Sequence, residues 1–349
     1  MLLILLFCRD LGEGNAWPHV EPRGDEPMTR NRSALGEPLP RRVLGSSGIE
    51  VSAFALGSWR TYERVSREAG VAVLHQARFS GIDFLEVARY NDESGTAPMR
   101  TGYSEVVFGE LLRRSMWPRD QFKLAEKLWW EFWPEQSAAQ ELDASLKRIG
   151  IDYVDVLYSD PPPAALPLEQ VVTTVGELIA TGKARAWGIV NWSAEQIAEA
   201  GRLALEQGVP RPCAAQLPYN LMQRDWVEGA SMSQALDICD ASVVASYALL
   251  GGVLTGKYAR GERGRISEGF AGAQAEAGKR LVEPLVELAS SLGVSPASLA
   301  IAFVLVNPRV ATVLFGATRP DQIVENVKAA ALAQSLSPSQ LGELRNITA

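Results

Sequence analysis

The sequence has few histidines, few cysteines and no excess of positive charge. Among its 349 residues are two histidines and three scattered cysteines, so neither a zinc cluster nor a disulfide framework is expected. A formal net charge of −7 argues against the basic surface that binding to nucleic acid requires. The sequence therefore predicts a cytoplasmic protein without a metal site or a nucleic-acid partner, in which any phosphate group is bound at a local site.

Long apolar runs are also missing. The apolar start, residues 1–7, has no basic region before it and is followed almost at once by Arg9 and Asp10, so it is too short to span a membrane and is a poor signal peptide. The chain up to about Pro40 is rich in proline, glycine and charge and has no period. We predict a disordered tail over residues 1–40, no membrane association, and one folded domain over residues 41–349.

Short apolar runs alternate with amphipathic helical patterns along the rest of the chain. Eight runs have strand length: residues 53–56, 84–87, 123–126, 154–158, 186–190, 214–217, 243–247 and 310–315. Helices are predicted at residues 66–79, 134–149, 168–181, 194–206 and 320–330. Because alternating strands and helices favour a parallel sheet, eight such units predict a (β/α)8 TIM barrel. A hairpin at residues 42–44 and 51–53 precedes it, and extra helices are predicted at 276–292 and 337–344.

Short motifs stand at the ends of these predicted strands, in a fixed order along the chain. They include Leu56-Gly57-Ser58-Trp59, Ala125-Glu126-Lys127, Gln216-Leu217-Pro218-Tyr219-Asn220 and Gly251-Gly252-Val253-Leu254-Thr255-Gly256-Lys257. Together, over residues 41–330, they resemble the aldo-keto reductases, with a motif pattern similar to the potassium-channel beta-subunit branch. The resemblance implies a barrel whose floor is covered by the hairpin. It also implies an oxidoreductase that uses NADP(H) to reduce an aldehyde, a ketone or an activated alkene by hydride transfer.

The resemblance also implies a proton-donating pair at the strand ends. Lys127 stands where the family has its lysine, and Glu86 stands where the family has an aspartate. The family's tyrosine position is occupied by Asn91, so the candidate acid is Tyr90, one residue earlier, with Tyr103 in reserve. A bulge at the strand end would absorb that slip. A tyrosine, with a usual pKa of about 10, is a weak acid at neutral pH unless a neighbouring lysine stabilises its phenolate.

Asp160 is the firmest departure from the family, because most members carry a histidine at this position. The two histidines of this chain, His19 and His75, lie in the tail and in the first helix and cannot replace it. Asp160 accepts a hydrogen bond when ionised, or donates one if apolar surroundings keep it protonated. Some family members carry a carboxylic acid here and reduce activated alkenes, whereas potassium-channel beta subunits, which lack the histidine, turn over slowly. The alternative function is therefore a cofactor-binding regulatory protein with little or no turnover.

The cofactor positions are carried over from the same resemblance. Asn191 and Gln216 match the amides that hold the nicotinamide carboxamide, which needs both a donor and an acceptor. Glycines and a lysine suit a pyrophosphate, and the start of the last barrel helix suits the adenosine end. The full set of cofactor-binding candidates is Trp59, Asn191, Gln216, Tyr247, Leu249, Gly251, Lys257, Gly316, Thr318, Gln322, Glu325 and Asn326. Thr318 and Arg319 are the candidates to hold a 2′-phosphate, and their presence favours NADP over NAD as the cofactor.

Two other nucleotide-binding patterns are disfavoured. The segment 251–257 nearly satisfies the P-loop pattern, but the next residue is Tyr258, which offers no hydroxyl suited to magnesium. No G-x-G-x-x-G pattern follows the first strand, so a Rossmann dehydrogenase is not indicated.

Four large aromatic rings follow Lys127 closely. Trp129, Trp130, Phe132 and Trp133 suggest an apolar wall for an aromatic or aliphatic carbonyl substrate. The alternative is that the rings pack between the barrel and its helices. Both interpretations stay open at the level of sequence.

Overall fold

The structure is a computed structural model that describes residues 38–92, 95–258, 260–262 and 273–347. Nearly all of the predicted tail, with Cys8 and His19, lies outside these residues. The first described elements are two short strands, β1 (Arg41–Val43) and β2 (Glu50–Ser52), which pair antiparallel with Arg41 opposite Ser52. They form the predicted hairpin, shifted by one residue toward the N-terminus.

Eight further strands form a closed, fully parallel barrel. They are β3 (Phe54–Gly57), β4 (Phe84–Glu86), β5 (Lys123–Leu128), β6 (Val154–Ser159), β7 (Ala184–Val190), β8 (Ala214–Pro218), β9 (Ser242–Ser246) and β10 (Val310–Phe315). Each strand pairs with the next in chain order, and β10 pairs with β3 to close the ring. The predicted (β/α)8 TIM barrel is confirmed, and each predicted strand matches its observed strand to within two residues at either end.

Helices surround the barrel. They are α1 (Arg67–Phe79), α2 (Tyr103–Ser115), α3 (Ala138–Ile149), α4 (Leu168–Ala180), α5 (Ala194–Gln207), α6 (Asp225–Glu228), α7 (Ala230–Cys239), α8 (Ala273–Ser291), α9 (Pro296–Val306), α10 (Pro320–Val327), α11 (Ala329–Ser335) and α12 (Pro338–Asn346). Short 3-10 turns lie at Gly45–Ser47, Tyr62–Arg64, Arg119–Gln121 and Leu250–Thr255.

Several helices differ from the sequence prediction for identifiable reasons. The helix predicted from residue 134 begins at Ala138, because Ser137 caps it by accepting the N–H of Gln140 while the Gln140 side chain accepts the N–H of Ser137. The helix predicted over 320–330 is two helices that part at Lys328. Helix α9 was not predicted, because it is apolar and buried almost all round and so shows no amphipathic period.

Apolar side chains fill the barrel from its floor upward. One buried cluster combines inward residues of the strands, such as Phe84 and Val156, with Leu44, Ile49 and Val51 of the hairpin segment. The hairpin thus closes the amino ends of the strands, as predicted, and a second cluster packs the helices against the outside. Among the described helices, none is by itself long and apolar enough to cross a membrane; α9 passes that test only jointly with Arg280–Ser291, across a bend of 91°.

Candidate active site

The carboxyl ends of β4 and β5 bring a buried carboxylate and a buried lysine together. Glu86 ends β4 and is 2% exposed, and Lys127 lies near the end of β5 and is 6% exposed. The Lys127 ammonium forms an ion pair with Glu86 Oε1 and donates a hydrogen bond to Tyr90 Oη at 2.9 Å. Tyr90 Oη in turn donates to Glu86 Oε1 at 2.8 Å. The three predicted side chains form one closed hydrogen-bonded triangle.

The early position of Tyr90 is absorbed after the strand rather than within it. Strand β4 ends at Glu86, and the N–H of Tyr90 donates to the carbonyl of Ala88 at 2.8 Å, which closes a three-residue turn around Arg89. This turn, and not the expected bulge, redirects the ring toward Lys127. Asn91, at the family's tyrosine position, pairs with Thr101 across the loop in an isolated bridge.

Tyr103, the reserve candidate, occupies a different place. It begins α2, and its hydroxyl accepts a hydrogen bond from Arg67 Nη2 at 3.2 Å. Its ring faces the same cavity as Tyr90 but is held by α1 rather than by the lysine. The geometry therefore favours Tyr90 over Tyr103 as the partner of Lys127.

Asp160 directly follows β6, and its backbone N–H donates to the carbonyl of Leu128 at 2.9 Å. The side chain is half-buried. Burial raises the pKa of Asp160 to about 6; the positive charge of Lys127 opposes this shift and the negative charge of Glu141 adds to it. A substantial fraction of the Asp160 carboxyl groups is therefore protonated at a pH that lies only slightly below neutral.

A further acidic group, Glu126, directly precedes Lys127 in the chain. Glu126 is fully buried and accepts the backbone N–H of Lys127 at 3.1 Å. Burial, reinforced by the negative charges of Glu105 and Glu86, raises the pKa of Glu126 well above its usual range. Sequence reasoning did not single it out. Within the residues that the structure describes, no group of His, Cys, Asp and Glu side chains is arranged to hold a metal ion.

The aromatic residues after Lys127 divide between the site and the core. Trp129 packs edge-on against Tyr90, with ring centroids 5.7 Å apart. Trp130 is buried and donates its indole N–H to Ser159 Oγ at 2.9 Å, while Phe132 lies under the Arg89 guanidinium and Trp133 packs on the core. Of the four rings, Trp129 has a direct contact with the candidate acid.

A cavity of about 820 Å³ opens beside Tyr90. Its lining includes Trp59 and Tyr103 as well as the charged residues Arg60, Glu63 and Asp92. This lining is more polar than the apolar wall that the four aromatic residues suggested, because the loop after β3 and the loop before α2 supply it. Trp130 and Trp133 instead pack into the core, which is the alternative that the sequence left open.

The predicted nicotinamide amides lie at the ends of two adjacent strands. Asn191 follows β7 with a left-handed φ of +56°, and its backbone N–H donates to the carbonyl of Gln216 at 3.1 Å. Gln216, on β8, is 6% exposed, and its side-chain Oε1 is buried without a hydrogen-bond donor among the described residues. An orphaned carbonyl oxygen of this kind is suited to an amide N–H of a ligand.

The segment after β9 is shaped by residues with left-handed backbone. Tyr247 has φ +55° and its ring lies 5.9 Å from the ring of Trp59. Leu249 precedes the turn Leu250–Thr255, in which Gly251 and Gly252 have φ of +65° and +94°. A Cβ on Gly252 would lie 2.9 Å from Cε of Lys257, so the glycine lets the lysine side chain approach the backbone.

The predicted adenosine end lies at the start of α10. Gly316 is exposed after β10, and the Gln322 side-chain oxygen accepts the backbone N–H groups of Thr318 at 2.8 Å and Arg319 at 3.2 Å. Glu325 accepts from Ser298 Oγ at 3.2 Å and pairs with Lys328, while Asn326 is 7% exposed. The N–H groups expected to favour a phosphate are thus covered by Gln322.

Sequence reasoning missed two buried residues beside Tyr90. Arg89, 4% exposed, ion-pairs with Glu131 at 3.1 Å and Glu141 at 3.7 Å. Glu141, 3% exposed on α3, accepts the backbone N–H of Trp129 at 2.8 Å. The sequence offered only a charge directly before the candidate acid, and nothing in the helical pattern over residues 134–149 distinguished Glu141.

The amino-acid sequence is similar to that of known proteins along most of its length. The profile of the aldo/keto reductase family matches residues 53–349. A candidate voltage-gated potassium channel subunit beta of Schizosaccharomyces pombe is 34% identical over 329 residues, which cover 88% of this chain and 93% of that protein. The corresponding candidate subunits of Oryza sativa subsp. japonica and Arabidopsis thaliana are 33% and 31% identical over 324 residues, covering 87% of this chain and 95% of each.

Proposed function

Because the chain belongs to the aldo/keto reductase family, we propose that it is a cytoplasmic NADP(H)-dependent oxidoreductase that reduces an aldehyde, a ketone or an activated alkene. The observation that carries the proposal is the 2.9 Å hydrogen bond between Lys127 Nζ and Tyr90 Oη, at the wall of an open cavity on the carboxyl face of the barrel. That face is where barrel enzymes place their chemistry.

The hydrogen bonds of the side chains support the roles proposed for them. The chemistry supplied by bound NADPH is hydride donation to the substrate carbon. Tyr90 carries the proton that the substrate oxygen needs, and Lys127 keeps donating to the phenolic oxygen as negative charge develops on it. Glu86 holds the Lys127 ammonium, so the positive charge stays beside Tyr90 rather than in the cavity.

In the proposed reaction, Asp160 provides the second polar contact to the substrate. Its pKa of about 6 leaves it protonated in mildly acidic solution, where its hydroxyl donates to a substrate carbonyl. A donor of this kind polarises the carbonyl of an enone and favours attack on the conjugated carbon. The proposal therefore includes activated alkenes together with simple carbonyl compounds.

The residues present fit an extended dinucleotide. The buried, donor-less Oε1 of Gln216 suits the carboxamide N–H, and the Gly251–Gly252 backbone beside Lys257 suits a pyrophosphate. Thr318 and Arg319 are the candidates for the 2′-phosphate, on which the preference for NADP over NAD rests. For them to bind it, the Gln322 side chain must release their N–H groups, and Arg319 must share its charge with Asp321.

Titration of the full chain with NADPH, followed by cofactor fluorescence, tests the first half of the proposal. We expect a dissociation constant in the micromolar range or tighter, and weaker binding of NADH. NADPH consumption is then followed over matched aldehydes, ketones and enones, with Tyr90→Phe as the inactive control. Because the cavity lining is polar, hydroxylated aldehydes should turn over with higher kcat/KM than alkyl aldehydes of equal length. Absence of saturable binding to either cofactor would overturn the proposal.

A second candidate function is favoured by the relatives, which are named as potassium channel β subunits. In this alternative the chain binds NADPH but regulates a partner, and the departures at Glu86 and Asp160 leave little turnover. The same titration and panel separate the two: tight NADPH binding with no consumption over every carbonyl class supports the regulatory function.

A further inference from the structure

We propose that Arg89 and Glu141 are positioning residues that hold Tyr90 against Lys127. The proposal rests on the function proposed above, but its central claim concerns the place of one side chain and is testable without turnover. The Tyr90 hydroxyl is hydrogen-bonded to Glu86 and Lys127, and Arg89 and Glu141 act through the chain segments that they join.

Arg89 links three separate segments. Its Nη1 donates to Thr101 Oγ1 at 2.7 Å, and its Nη2 lies 3.1 Å from Glu131 Oε2 and 3.7 Å from Glu141 Oε1. Thr101 lies just before α2, Glu131 follows β5, and Glu141 belongs to α3. A guanidinium that is 4% exposed is costly to bury unless it is paired, so these contacts fix the turn in which Arg89 sits.

Glu141 sets the path of the chain after the lysine. Its two carboxylate oxygens accept the backbone N–H groups of Trp129 at 2.8 Å and Trp130 at 3.3 Å. Trp130 has a φ of +59°, a conformation that is unfavourable for a residue with a side chain. The carboxylate therefore stabilises a turn that the local sequence does not favour by itself.

Tyr90 is enclosed by the two segments that this pair holds. Its backbone adjoins Arg89, its carbonyl accepts the N–H of Gly102 at 3.1 Å, and its ring packs on Trp129 at 5.7 Å. These contacts direct the hydroxyl to Lys127. Because the tyrosine stands one residue early, its orientation depends on the tight turn after β4, which is the part that Arg89 secures.

The test compares Arg89→Met, Glu141→Gln and the milder Thr101→Val with Arg309→Met, a control whose arginine pairs with Asp237 at the amino end of β10. Proteins labelled with ¹³C at Cζ of tyrosine report the environment of Tyr90, whose signal is assigned from Tyr90→Phe. In the Arg89 and Glu141 variants this signal should shift or broaden, with a smaller change in Thr101→Val and none in Arg309→Met. Arg89→Lys should restore it in part, since an ammonium retains the charge but not the fork of donors.

Kinetics provide the second measurement. In Arg89→Met and Glu141→Gln we expect kcat to fall by about 10- to 100-fold, with KM and the NADPH dissociation constant within about threefold of the parent, because misplacement of a reacting group lowers the rate more than binding. An unchanged Tyr90 signal, or an unchanged kcat in variants whose signal has moved, overturns the inference. If the parent binds NADPH but consumes none, the proposed function fails, while the Tyr90 signal still decides the positioning claim.

Discussion

Two aspartates at opposite ends of β6 have different surroundings. Asp155, at the amino end, is 1% exposed, and its carboxylate accepts from Arg119 at 2.7 Å, Arg185 at 2.8 Å and the N–H of Leu124 at 2.9 Å. Asp160, just beyond the carboxyl end, has no hydrogen-bond donor to its carboxylate among the described residues, and its pKa is raised to about 6.

The two ends of one strand thus separate a carboxylate that stabilises the protein from a carboxylate that the proposed reaction uses. Asp155 has its hydrogen-bonding capacity used by the protein itself, so it ties β5, β6 and β7 together at the floor. Asp160 retains its capacity for another molecule at the face where barrel enzymes bind substrates. Tyr90 combines the two conditions: it is hydrogen-bonded to Glu86 and Lys127 and also lines the cavity.

The largest expected effect is the loss of stability when Asp155, at the barrel floor, is changed. Asp155→Asn removes the charge of a buried carboxylate that accepts from two arginines and one backbone N–H, and we expect a loss of about 3 kcal/mol in the free energy of unfolding, because charge-assisted hydrogen bonds are weakened or lost. Denaturant unfolding measures this loss. Asp160→Asn is the matched control and should cost far less stability. Equal losses in the two variants would contradict the division between the ends of β6.

Lys127→Met tests the carboxyl end directly. Removing the ammonium should lower turnover about 10²-fold or more, since Tyr90 loses the charge that stabilises its developing phenolate. NADPH binding, measured by titration, should be retained. Turnover equal to the parent's, with intact binding, would show that the proton donor lies elsewhere.

The raised pKa of Asp160 predicts that kcat/KM is higher in acidic than in basic solution. The folded-state pKa of about 6 lies above the usual value of 3.8, so the protonated form is complete well below pH 6 and is lost as pH rises through about 6. If that form polarises the substrate, kcat/KM should fall by about 50-fold between pH 6 and pH 8, the ratio of the protonated fractions.

Variants at Asp160 provide the control for this profile. Asp160→Asn should remove the decline near pH 6, and Asp160→His should raise aldehyde reduction and move the optimum upward. A parent profile that is flat from pH 5 to pH 8, or one that Asp160→His leaves unchanged while NADPH still binds, would make Asp160 a structural loop residue.

The smallest expected effect is at Gln216. Gln216→Leu removes the oxygen that lacks a donor, so NADPH binding should weaken by about 2- to 12-fold, the equivalent of one ordinary hydrogen bond. The free protein should keep its stability, because no internal hydrogen bond of the side-chain oxygen is lost. A variant that binds NADPH as tightly as the parent would remove Gln216 from the candidate cofactor site.

Much of the fold was predictable from local patterns. The eight strand runs match β3–β10, because barrel strands are buried on both faces and are therefore nearly continuous apolar runs. Helix α9 was not predicted, because its burial leaves no polar face. Helix α2 was not predicted, because it starts after Gly102, which has a φ of +80°, and has no side-chain cap. A pattern that depends on one exposed face fails for α9, which has none.

The candidate site was predictable in residue type and approximate place, but not in contacts. Resemblance placed Lys127, Glu86 and Tyr90 at strand ends, and the structure brings their side chains together. The turn at Arg89 and the support from Glu141 were not predictable, because they join segments about 50 residues apart through buried charges. Their roles, like those of the cofactor positions, remain predictions for the experiments above.

Local patterns and motif order were enough to predict the eight barrel strands, the resemblance to the family and the chemical groups at the strand ends, because these features depend on residues that are neighbours in the chain. The folded chain was needed to show that Tyr90 and not Tyr103 reaches Lys127, and that the Asp155 carboxylate is hydrogen-bonded within the protein while the pKa of Asp160 is raised. The physical reason is that hydrogen bonding and desolvation depend on distances between residues that the chain itself keeps far apart.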